Sequence, residues 1–198
     1  MSEALMIGVL GLQGAVAEHA HLLNTIGVRS RVVKTTSDLE NLDGLILPGG
    51  ESTTMRRLMD QSHLFCAIKA FAAEKPVFGT CAGLILMAGQ IEGQKGPHLG
   101  LMDINVRRNA FGRQVASFEA ALNIEGVATD FIGVFIRAPY ILEAGPEVDV
   151  LATYDNKIVA ARQGRFLVSA FHPELTNDPR CHQYFVDIVK GLRLAKHR

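Results

Sequence analysis

Residues 5–10 form a short apolar run suited to a buried strand, and residues 15–26 carry a helical pattern that stops at Gly27. A second strand is expected at 31–34 and a third at 44–47. The third leads into a long, largely helical stretch over 52–73. Another strand at 77–79 passes directly into a helix that starts at 82 and runs to 88. This β-α-β order predicts a parallel sheet with helices on both faces, and ligands are then held beyond the carboxyl ends of the strands.

The second half has a different rhythm. Closely spaced strands are expected at 104–107, 114–118, 133–137, 148–153, 158–162 and 166–170, and Tyr154-Asp155-Asn156-Lys157 reads as a hairpin turn. A helix over 180–194 closes the chain. The expected fold class is therefore α/β: one domain over residues 1–198, with a mostly parallel central sheet and an antiparallel extension.

Composition narrows the classes of function. Apolar residues make up 48% and charged residues 20%, enough for a packed core in a chain of 198 residues. The net charge is zero and the basic pairs Arg56-Arg57 and Arg107-Arg108 are isolated, so no footprint for nucleic acid is present. No basic leader precedes the first strand and no apolar run approaches ~18 residues, which predicts a cytosolic protein without a membrane span. Three cysteines, none in a C-x-x-C pair, fit a reducing compartment and leave one available as a nucleophile. Metal binding is not expected: His19 and His21 are two apart on a helix and diverge.

Three segments carry chemistry. In Val77-Phe78-Gly79-Thr80-Cys81-Ala82-Gly83-Leu84 an apolar strand reaches a cysteine flanked by glycines at minus two and plus two, then a helix begins. That is the pattern of a nucleophile elbow with Cys in place of Ser, and the helix N-terminus behind the sulfur favours its anionic form. A structural, buried cysteine is the competing reading, and it is the one that fits Cys66 and Cys181. In Phe171-His172-Pro173-Glu174, an extended backbone sends His172 and Glu174 to the same face, a base and the group that orients it. In Leu47-Pro48-Gly49-Gly50-Glu51-Ser52-Thr53, adjacent glycines allow close approach to a ligand and backbone N–H groups aimed at an oxyanion. An ordinary strand-to-helix turn is the alternative there. The series Gly8, Gly11, Gly14 lacks the G-x-G-x-x-G spacing of a dinucleotide loop.

In chain order, Gly-Gly-Glu-Ser, then Gly-Thr-Cys-Ala-Gly, then His-Pro-Glu, the three segments resemble the class I, triad-type glutamine amidotransferases. Further segments narrow the resemblance to the glutaminase subunits of pyridoxal 5′-phosphate synthases. They are Gly11-Leu12-Gln13-Gly14, residues 48–57, Val106-Arg107-Arg108-Asn109-Ala110-Phe111-Gly112, Val134-Phe135-Ile136-Arg137-Ala138-Pro139 and residues 171–176. The resemblance implies a flavodoxin-like sheet, no cofactor, and hydrolysis of L-glutamine through Cys81, His172 and Glu174. It implies an oxyanion hole from the backbone of Gly50 and Ala82, and substrate contacts from Gly50, Glu51, Ser52, Arg108, Ile136 and Arg137. It also implies a partner, the barrel-shaped synthase subunit that consumes the ammonia, with Gln13 setting the oxyanion loop on docking. A glutaminase for another pathway, such as imidazole glycerol phosphate synthesis, is the nearest alternative. A cysteine peptidase and a non-catalytic module on the same fold are the others.

Overall fold

The computed structural model describes residues 4–109 and 117–196. The first half follows the expected order: β1 (Met6–Leu10), α1 (Val16–Thr25), β2 (Arg29–Val33), β3 (Gly44–Leu47), α2 (Ser52–Gln61), α3 (Leu64–Ala72), β4 (Val77–Thr80) and α4 (Ala82–Met87). β3 and β4 are buried at every position, as expected for strands covered on both faces. The single helix expected over 52–73 is two: α2 ends at Ser62, whose hydroxyl bonds back to the Leu58 carbonyl, and His63 takes a left-handed φ of 59°. A hydroxyl competing for the i−4 carbonyl and a left-handed residue together end the helix there.

The second half contains β5 (Ala88–Ile91), β6 (Met102–Arg107), β7 (Ser117–Ile124), β8 (Ala128–Ile136), β9 (Tyr140–Ala144), β10 (Asp149–Tyr154), β11 (Lys157–Gln163), β12 (Phe166–Ser169) and α5 (Arg180–Lys196). β5 and β9 are additions to the expected set. Ala88-Gly-Gln-Ile has little strand propensity of its own and Tyr140–Ala144 is short, and β6 lies between them and pairs with each. Residues 114–116 of the strand expected at 114–118 lie outside the described residues, as do Ala110, Phe111 and Gly112. The remainder opens β7, which is longer than expected and pairs with β8 in a separate two-stranded sheet. Asp155 and Asn156 both have positive φ, which makes the β10–β11 connection the tight hairpin expected.

The main sheet has ten strands in the order β2-β1-β3-β4-β12-β11-β9-β6-β5, with β10 also on β11. From β2 to β12 every pairing is parallel; beyond it the β12–β11, β11–β9 and β9–β6 pairings are antiparallel. The sequence grouped 166–170 with the antiparallel extension. Instead β12 also pairs with β4 in parallel, Val168 opposite Gly79 and Ser169 opposite Thr80. The carboxyl ends of β1, β3, β4 and β12 therefore converge on one edge.

Packing of α4 onto this sheet tolerates no side chain at two glycines. A Cβ at Gly83 would lie 2.0 Å from the Leu47 carbonyl oxygen, and one at Gly79 would lie 2.5 Å from the Gly83 carbonyl. Gly83→Ala is expected to destabilise the protein by about 3 kcal/mol or more, since backbone atoms must shift. Gly191→Ala, on α5 where an added Cβ meets nothing within 4 Å, is expected to stabilise it by roughly 0.5–1 kcal/mol. Urea unfolding of the two variants checks both signs.

Candidate active site

Cys81 sits between β4 and α4 with φ 51° and ψ −103°, a conformation an L-residue occupies only when its surroundings impose it. Two bonds impose it. The Cys81 N–H donates to the Ser169 carbonyl at 2.8 Å, and its carbonyl accepts from the Leu84 N–H at 3.1 Å. The sulfur thus emerges at the carboxyl edge of the sheet, 7% exposed, at the head of a fully buried helix. The sulfur lies 3.9 Å from the Ile136 carbonyl oxygen.

β12 delivers the second component. Three residues after it ends, His172 donates its N–H to the Val134 carbonyl, and the next residues form a short 3-10 turn, Pro173–Leu175. His172 Nδ1 lies 2.7 Å from Glu174 Oε1, and the carboxylate is buried. Burial alone would lower the basicity of His172. Hydrogen bonds with Cys81 and Glu174, and the negative charge on both, outweigh it and raise the pKa to about 10. Both neighbours therefore favour the charged form of the ring. Cys66 is exposed, and Cys181 is buried with its thiol pushed far up by desolvation, so neither sits in a comparable setting.

Gly49 and Gly50 close the site from β3. A Cβ on Gly49 would meet His172 Cε1 at 2.5 Å, so the loop lies directly against the imidazole. The loop is held from its other side by the first loop of the chain. A Cβ on Gly14 would lie 2.0 Å from the Gly49 carbonyl oxygen, and Gln13 Oε1 accepts the Glu51 N–H at 2.7 Å. Because a trans peptide sends its C=O and N–H to opposite sides, the Gly50 N–H points away from Gly14. Gly50 has φ 149°, which only glycine adopts freely. Glu51 then caps α2 through the Thr53 and Thr54 N–H groups; burial pushes its carboxyl up, but these bonds bring it down to about 2.

These residues surround a cavity of about 390 Å³ lined by Cys81, His172, Gly50, Glu51, Ser52 and Ala82, and also by Arg108, Ile136 and Arg137. Every substrate-contact residue expected from the sequence is on this wall. Gln13 is not; it stands behind the glycine loop. Arg108 Nη1 approaches Thr53 Oγ1 at 3.4 Å, and Arg137 has φ 43°. Ile85, Asn109 and Pro139 complete the lining and were not expected. Asn109 and Pro139 lay within quoted segments, while Ile85 carried no signal beyond its place one helical turn after Cys81. His19 and His21 diverge as expected, His19 into the core and His21 to solvent.

Residues 9–191 match the model of the SNO glutamine amidotransferase family. Pyridoxal 5′-phosphate synthase subunit PdxT of Oenococcus oeni is 66% identical over 184 residues, covering 93% of this chain and 96% of that protein. The protein of the same name from Geobacillus kaustophilus is 62% identical over 192 residues, covering 96% and 98%. A crystal structure of a glutamine amidotransferase superposes with a TM-score of 0.88 at 45% identity, over 93% of this chain and 98% of that one. A match across almost the whole chain, with relatives at this identity, means that the protein belongs to the SNO glutamine amidotransferase family.

Proposed function

We propose that this chain hydrolyses L-glutamine to L-glutamate and ammonia through Cys81, His172 and Glu174, and passes the ammonia to a separate pyridoxal 5′-phosphate synthase subunit. The observation that carries the reading is a buried His172–Glu174 pair beside an elbow cysteine in one arginine-rimmed cavity. Its relatives are named as subunits of that synthase. No helix among the described residues is long and apolar enough to cross a membrane, and the three cysteines are free, which fits a cytosolic enzyme.

In this mechanism His172 takes the thiol proton as Cys81 Sγ attacks the side-chain amide carbon of glutamine. The oxygen of the tetrahedral intermediate takes up hydrogen bonds from the Gly50 and Ala82 N–H groups. His172 gives a proton to the amide nitrogen as the C–N bond breaks, releasing ammonia and leaving a glutamyl thioester. It then takes a proton from water, whose oxygen attacks the thioester, and Cys81 is regenerated with glutamate as product. Glu174 holds the imidazole in the required tautomer and stabilises its charged form. Arg108 and Arg137 sit where the α-carboxylate of the substrate can accept charge-assisted hydrogen bonds, with Ile136, Glu51 and Ser52 shaping the rest of the pocket.

Cys81→Ala is expected to abolish glutamate release while the protein stays folded, and a chloroketone analogue of glutamine is expected to label Cys81 alone. Glu174→Gln is expected to cost less turnover than His172→Ala. Removing that anion should also bring the titration of His172 down from about 10 toward 6.5, which histidine ring-proton NMR measures. Arg108→Ala and Arg137→Ala are expected to raise KM for glutamine, each by about 1.5–3 kcal/mol in binding, with much of the rate restored at saturation. Gln13→Ala removes the side-chain acceptor of the Glu51 N–H and loosens the glycine loop. It is expected to reduce stimulation by the synthase subunit more than it reduces complex formation, and titrating glutamate release alongside binding separates the two.

A further inference from the structure

The carboxylate of Glu174 has two oxygens, and the triad uses one. The other, Oε2, faces the interior 3.5 Å from His19 Nε2, with both side chains fully buried. At that distance the two form no hydrogen bond in this geometry, and Oε2 has no hydrogen-bond partner among the described residues; a small closure of the gap would supply one. His19 Nδ1 in turn lies 2.8 Å from His182 Nε2 on α5, and its Nε2 is also 3.3 Å from Thr80 Oγ1 on β4. A buried chain therefore runs from α5 through α1 to the carboxylate of the triad.

Its direction follows from the chemistry of its ends. Burial first, and then the charges on His182 and His172, hold the pKa of His19 well below 6.5, so the ring is neutral and carries one proton. A carboxylate only accepts hydrogen bonds, and a bare Nε2 would set two lone pairs against each other. If instead the proton were on Nδ1, His182 would have to accept through Nε2 and keep its own proton on Nδ1, which is buried without a partner. A buried N–H left unbonded is costly. With the proton on His19 Nε2, His182 Nε2–H donates to His19 Nδ1, and the atom left unbonded is a bare nitrogen. The chain ends there in the core, so it offers no exit for a proton and serves to hold the carboxylate in place.

We propose that His19 is a positioning residue for glutamine hydrolysis: its Nε2–H, fixed by His182, anchors one oxygen of Glu174 so that the other stays on His172. The proposal rests on the triad assigned above. His19→Leu, measured with the synthase subunit present, is expected to lower kcat by about 10- to 100-fold, the usual effect of losing a hydrogen bond to a charged group, with KM for glutamine essentially unchanged. His19→Gln places an amide N–H at the same position and is expected to recover most of that loss. Histidine ¹⁵N NMR is expected to show His19 protonated at Nε2 and bare at Nδ1. His182→Leu is expected to give a smaller loss of the same kind and a shift of His19 toward the other tautomer.

Full kcat in His19→Leu, equal losses in the Leu and Gln variants, or a bare Nε2 in the unmodified protein would each overturn the proposal. Should His19→Leu fail to fold, the spectrum and the His182→Leu kinetics decide in its place. Cys81→Ala separates the two readings. Hydrolysis surviving in Cys81→Ala removes the triad assignment itself, whereas an inactive Cys81→Ala beside a fully active His19→Leu removes only the role of His19.

Discussion

The whole site depends on one close approach: the first turn of α4 presses against the carboxyl end of β3 so tightly that Gly83 and the Leu47 carbonyl share a space no side chain could enter. That contact forces a sharp reversal between β4 and α4, and the reversal puts Cys81 at positive φ. Strain of this kind persists only where surrounding bonds over-determine it, and here the Ser169 carbonyl and the Leu84 N–H do so. The result is a sulfur that projects from the sheet edge instead of lying along a strand or a helix. With an ordinary side chain at Gly83, the helix would lift and the sulfur would leave the cavity wall.

A second consequence concerns the first loop and α1. Gln13 and Gly14 brace two successive peptides of the glycine loop, and five residues past Gly14 the same segment presents His19 to Glu174. One short piece of chain thus touches both the expected oxyanion donor and the carboxylate of the triad, without lining the cavity. Any displacement of this segment would disturb both at once. The arrangement gives a physical route by which an event at the first loop could change turnover while leaving the substrate-binding wall intact.

Burying a carboxylate beside three imidazoles carries a large desolvation cost, which is offset only by paired charge and well-directed bonds. His172 supplies the charge: it is raised to about 10, whereas His182 is lowered to about 4 by burial alone. The contrast shows how environment separates like residues. His172 lies at the cavity wall between Cys81 and Glu174, and His182 lies in the core against the ring of Phe78, where burial disfavours its charged form.

The sequence by itself determined the features that local backbone chemistry controls. Strand, glycine, cysteine, glycine and helix within eight residues define the elbow around Cys81, because a sharp turn needs glycine on both sides of it. His172 and Glu174 share a face because extended backbone alternates its side chains and Pro173 blocks a helix at His172. Only the tertiary structure decided what joins these pieces. β12 reads as one more strand of an antiparallel run, yet it also pairs with β4, and this parallel pairing is what brings His172 to Cys81. β9 and β5 are short segments that join the sheet through pairing with β6, and in β5 this overrides a weak propensity. His19 looks in sequence like any polar residue on a helix, and its partner His182 is 163 positions away. A contact between elements so far apart leaves no periodic trace in either, so the core side of the triad becomes visible only when α1, α5 and the end of β12 are packed together.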